Sequence, residues 1–246
     1  MSRIAPLEPP YAGEIQEQFD RVMRGAPPLM LFRVLAGNAR AWEKFRAGSL
    51  LDRGPLSLRE REIVIDRTCA LAGCEYEWGV HVAAFAAAAH LTDEQVRATV
   101  SGKADAPCWS AAEQALIVAV DALHASATLD DAEFSALSAH YDDARIFEII
   151  LLCGFYRTVS YLANGLDLPL EASAARFPVA SGGGRHSGAR VETSEPGISR
   201  FRVWSFEPSR NAGGRPLRHA CAQDVVQRHD ADRPVGVGHD QRCDLR

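Results

Sequence analysis

The chain has 246 residues, 47% of them hydrophobic, with 32 acidic and 27 basic side chains and a net charge of −5. That length fits one or two domains, and that composition is ample for an apolar core. An acidic balance lacks the basic face that phosphate neutralisation needs, so nucleic acid is not an expected partner.

The first element is a helix over Gly13 to Arg24, where Ile15, Phe19 and Val22 recur at helical spacing. Pro27–Pro28 breaks the chain, and a second helix is expected from Leu29 to Phe45. Ser57-Leu58-Arg59-Glu60 reads as a capping box, so a third helix should start there, run to about Ala72 and stop at Gly73. A fourth restarts at Cys74 and runs to Ala89. Thr92 to Gln95 and Ser110 to Glu113 repeat the capping pattern, and Asp130 caps another helix through Phe134 and Leu137. A long helix follows from about Asp142 to Leu162 and ends at Asn164–Gly165. No segment alternates cleanly, so the fold class is all-α, a bundle of seven or eight helices.

The character changes near Phe177–Pro178. Residues 179–246 hold 11 Arg, no Lys and 8 acidic residues, which leaves 16 basic and 24 acidic residues to 1–178. This stretch opens on Ser181-Gly182-Gly183-Gly184 and shows neither a 3.6 nor a 2.0 hydrophobic period. It cannot bury enough apolar area to offset the entropy of ordering it. The expected organisation is a helical domain over 1–178 and a disordered tail over 179–246, which reads like an out-of-frame extension of a high-GC gene. No uninterrupted apolar run approaches the roughly 20 residues of a membrane span. Residues 1–30 lack the marks of a secretory signal. A cytoplasmic location without a membrane partner is expected. Six scattered cysteines (Cys69, Cys74, Cys108, Cys153, Cys221, Cys243) form no CxxC pair and no structural-zinc spacing.

Two polar stripes stand out. Leu58, Glu62, Ile65, Cys69 and Ala72 share one helix face, and Glu62 is the lone carboxylate on it. Such a group needs a partner or a raised pKa. The bland alternative is a surface Glu beside Arg59 or Asp66. On the next helix Cys74, Glu77 and His81 share a face. The Gly73 break places Cys74 at a helix start, where backbone N–H groups and the dipole should lower its pKa. His81 could give or accept a proton near neutral pH, and Glu77 could orient it. The alternative is a buried structural Glu77–His81 pair with Cys74 as filler. Tyr76 and Trp78 read as packing residues, Cys69 and Cys153 as inert core thiols.

Glu62, Cys74, Glu77 and His81, within Leu58-Arg59-Glu60-Arg61-Glu62-Ile63-Val64-Ile65 and Gly73-Cys74-Glu75-Tyr76-Glu77-Trp78-Gly79-Val80-His81, form a spaced signature. With Tyr161-Leu162-Ala163-Asn164-Gly165-Leu166, it resembles the carboxymuconolactone decarboxylase-like superfamily, which includes the alkylhydroperoxidase D proteins. The resemblance covers roughly residues 1–178. It implies an all-α fold, assembly into trimers or hexamers, a small-molecule substrate and four site residues: Glu62, Cys74, Glu77 and His81. In the peroxidase branch two cysteines in CxxC reduce hydroperoxides while a Glu and a His transfer protons. Glu62, Cys74 and His81 match that motif, but the second cysteine is Glu77 here. In the decarboxylase branch no cysteine pair is needed, and acid–base groups handle the carbanion left by carbon dioxide. Three readings follow: acid–base chemistry on a small carboxylated lactone or organic acid, a one-cysteine peroxidase using Cys74, or a non-catalytic oligomeric helical protein. No cofactor is implied, since no phosphate-binding glycine loop or dinucleotide fingerprint is present. No metal is implied either, because Glu62, Glu77 and His81 suit a proton relay better.

Overall fold

The computed structural model describes residues 2–178. The expectations placed on residues 179–246, and the cysteines Cys221 and Cys243, lie outside the described residues. Among the described residues all regular elements are helices: α1 (Gly13–Met23), α2 (Met30–Leu35), α3 (Ala39–Gly48), α4 (Leu58–Leu71), α5 (Glu75–Phe85), α6 (Asp93–Ser101), α7 (Ala111–Ser126), α8 (Asp131–Ser138) and α9 (Asp143–Gly165).

Local chemistry sets most of these boundaries. Ser57, Thr92, Ser110 and Asp130 each accept from the backbone N–H three residues on, and Glu60, Gln95, Glu113 and Glu133 reach back to the cap. Gly73 ends α4 with φ +62, a conformation that glycine adopts without a Cβ penalty. Two expected boundaries differ. The stretch Leu29 to Phe45 is not one helix: the chain turns at Ala36–Asn38, and the Asn38 side chain caps α3 by accepting from Ala41 N at 2.9 Å. Helix α5 stops at Phe85, short of Ala89, because His90 turns left-handed (φ 53) and Leu91 N bonds back to Ala86 O, sending the buried Leu91 inward.

Helix α4 is the axis of the fold. It packs against α5, α6, α7 and α9, and every residue from Arg61 to Cys69 is buried. A helix walled in on all sides has no solvent face for its charges, so each charge on it must find a partner inside. Arg67 does so completely, with a bidentate pair to Asp121 (2.6 and 2.8 Å) and bonds to the carbonyls of Thr99 and Gly102, both 3.1 Å. Helix α9 is, by length and composition, long and apolar enough to cross a membrane, although charged residues interrupt its apolar run. Here Ile146, Ile149, Leu152, Tyr156 and Val159 are buried, on a helix that packs against α4 and α7.

After α9 the chain returns as a strap over α5. Ala175 N donates to Gly79 O at 3.0 Å, Phe177 N to Glu75 Oε1 at 3.0 Å, and the Phe177 ring lies 5.1 Å from Trp78. Glu171 accepts from Tyr76 Oη and from Met30 N, both at 2.6 Å, which ties the strap to α5 and α2. Gly79 is required at this crossing: a Cβ there would collide with the Ala175 carbonyl oxygen.

Candidate active site

The two polar stripes meet because α4 and α5 pack face to face across the Gly73 turn. Glu62 is 1% exposed and His81 3%, and His81 Nδ1 lies 2.7 Å from Glu62 Oε2. The other Glu62 oxygen accepts from Arg61 Nε at 3.1 Å. On the far side of the imidazole, Nε2 lies 3.5 Å from Glu77 Oε1. The rings of Tyr156 and Phe85 enclose His81, with centroids at 5.0 and 5.3 Å.

This surrounding decides the charge of His81. Burial disfavours the imidazolium, but the Glu62 charge and hydrogen bond, with Glu77 behind them, outweigh it and raise the pKa to about 10. At neutral pH His81 is therefore a proton donor. That narrows the sequence expectation, in which it could serve as donor or acceptor. Asp66, one turn beyond Glu62, is also buried. Burial first, then the Glu62 charge, push its carboxyl well above the usual range against the opposing pull of His81. Neither of its oxygens has a protein hydrogen-bond partner.

Cys74 departs from expectation. It is the N-cap of α5, and backbone N–H groups of Tyr76 and Glu77 do act on its sulfur. Burial outweighs them, aided by the Glu77 charge, so the thiol is raised and not lowered. Cys69 and Cys153 are raised by burial as well, as inert core thiols should be, and Cys69, Cys74, Cys108 and Cys153 are all free. Tyr76 and Trp78 are buried, and Trp78 Nε1 donates to Thr99 Oγ1 at 3.0 Å.

Two adjoining cavities sharing Phe32, Leu51 and Glu77 lie against this network. One, of about 140 Å³, is lined by His81, Glu77, Phe85 and Ser173 of the strap. The other, of about 40 Å³, is walled by Phe45, Trp42, Phe155 and Tyr156. Arg46 lines the second, stacked at 5.5 Å over Trp42, with a buried Nε that has no partner. Glu77 Oε2 is likewise buried and unpartnered. Of the four residues singled out in sequence, His81 and Glu77 reach the cavities, Glu62 stands directly behind His81, and Cys74 lines neither. Sequence reasoning missed Arg46 and the raised pKa of Asp66. Asp66 had a signal, since it sits four residues after Glu62; Arg46 had none.

Residues 36–121 match the model of the carboxymuconolactone decarboxylase family. No curated protein matches the chain. Among solved structures, the chain is similar to an uncharacterized peroxidase-related protein from Silicibacter sp. TM1040, with a TM-score of 0.63 and 20% identity over 72% of this chain and 96% of that one. A peroxidase-related protein from Ralstonia eutropha JMP134, described as an alkylhydroperoxidase AhpD core, gives a TM-score of 0.58 and 21% identity over 70% and 93%. The debrominase Bmp8 gives 0.54 and 18% over 69% and 92%. At these identities the likeness to the solved structures is one of fold.

Proposed function

We propose that this chain is a member of the carboxymuconolactone decarboxylase-like superfamily and performs acid–base chemistry on a small carboxylated lactone or organic acid, with His81 as the proton donor. The observation that carries this reading is the buried series Glu62–His81–Glu77, charged at its centre and opening through Glu77 and His81 onto a cavity. Such an imidazolium suits a reaction that creates negative charge on carbon. In a decarboxylation the bond between carbon and the departing carboxylate breaks, its electron pair stays on the organic fragment as an enolate, and carbon dioxide leaves. The proton on His81 Nε2 then closes the new C–H bond, directly or by way of Glu77, and water restores it. Glu62 is a positioning residue: it holds the ring by Nδ1 and keeps it charged. Arg46 supplies an unmet guanidinium N–H for a carboxylate that the substrate keeps.

Cys74 speaks against the one-cysteine peroxidase reading, since a buried thiol with a raised pKa is a poor nucleophile at neutral pH. Release of carbon dioxide from small carboxylated lactones is the test. Cys74→Ala is expected to keep most activity, and His81→Gln to lose nearly all of it. Equal loss from both, or peroxide turnover that vanishes in Cys74→Ala, would replace this reading with the peroxidase one. We also propose that the chain self-associates: Phe147 and Leu151, an i,i+4 pair on α9, are 69% and 58% exposed. A monomer in sedimentation would remove that proposal.

A further inference from the structure

A third cavity lies away from the His81 network, and none of the residues lining it lines either of the other two. We infer that this cavity, enclosed by α4, α7 and α9, is a second ligand site that takes a small aliphatic carboxylate, with the carboxylate on Arg157 and His124. Its volume is about 320 Å³, within the range of roughly 300–1,000 Å³ typical of small-molecule pockets. Val120 and Leu123 of α7, Ala127 just after it, and Ile150 and Cys153 of α9 make its walls aliphatic.

The polar groups are few and concentrated. Arg157 has no ion pair to a carboxylate among the described residues. Its Nε donates to Tyr161 Oη at 2.9 Å, its guanidinium lies 5.4 Å over the Tyr161 ring, and Nη1 meets His124 Nδ1. Asp121, one turn before His124 on α7, is already held bidentately by Arg67. Arg157 is thus oriented by neutral groups alone, and its charge is not cancelled. His124 is held below its usual range, by burial first and then by the Arg157 charge, against Asp121. A neutral imidazole that accepts at Nδ1 carries its proton on Nε2, so it remains a donor. One pre-aimed cation, one neutral imidazole donor, the Thr68 and Tyr161 hydroxyls and otherwise aliphatic walls fit a monoanion with a hydrocarbon body.

Isothermal titration of the full chain with sodium octanoate, with 1-octanol as the uncharged control, tests the site. Octanoate should bind saturably, and octanol far more weakly. Arg157→Gln should weaken octanoate at least tenfold while leaving octanol unchanged, with the helical circular dichroism intact. Ile150→Trp, a change at the part-exposed rim, should narrow the mouth and weaken both; it serves if Arg157→Gln does not fold. Arg46→Gln should leave octanoate binding in place, which separates this cavity from the one beside Glu77. Absence of saturable binding, equal affinity in Arg157→Gln, or loss of binding in Arg46→Gln alone would overturn the assignment.

Discussion

Helix α4 carries two sets of buried charges, and they are finished differently. At Arg67 every strong donor is matched: two bonds to Asp121 and two backbone carbonyls. On the face that carries Glu62 and Asp66, atoms are left over. Both oxygens of Asp66, Oε2 of Glu77 and one Nη of Arg61 are buried without a protein partner. A structural ion pair gains from saturation, because each unmet buried polar atom is costly. A cluster whose Glu77 keeps an unmet atom beside a cavity retains capacity for a substrate or a proton. The same helix therefore shows what a charge looks like when it holds the fold and when it is held ready.

Breaking each set should give different symptoms. The largest effect is expected for His81→Gln in the carbon dioxide assay, a loss of about 100-fold or more, the usual scale for a general acid. Arg67→Met should instead appear in stability, about 1.5–3 kcal/mol in urea unfolding, because it leaves two carbonyls unmet and Asp121 without its cation. Turnover per folded molecule should be unchanged in that variant. The reverse pattern, with Arg67→Met killing turnover in folded protein, would collapse the distinction between the two sets.

Stability against pH sharpens the comparison. His81 has its pKa raised on folding from 6.5 to about 10. A group raised on folding contributes stability that is whole below its unfolded pKa and is lost as pH rises through its folded one. Unfolding midpoints should therefore fall between pH 6.5 and 10, and less so in His81→Gln. The smallest effect is expected for Asp66→Asn. Burial favours the neutral form of Asp66, so the amide should shift stability by less than about 1 kcal/mol. A loss of several kcal/mol would mean that Asp66 is ionised.

Much of this was legible beforehand, for identifiable reasons. Capping boxes are local chemistry, so four helix starts could be read from Ser57, Thr92, Ser110 and Asp130. Helical spacing likewise put Glu62 indoors and placed Glu77 and His81 on one face. What the spacing could not give was depth. The dipole argument for Cys74 was correct in direction, yet it lost to burial. Arg46 was invisible because only the fold brings it to the cavity that Glu77 lines, and the turn at Asn38 interrupts an otherwise helical run.

The most direct measurement is the pH titration of the His81 imidazole by NMR, in protein labelled at histidine and assigned through His81→Gln. The imidazole should remain doubly protonated past pH 9, and Glu62→Gln should return its titration toward the ordinary histidine range. A His81 that loses its proton near 6.5 in the intact protein would contradict the account, because the group placed to deliver a proton would not be carrying one.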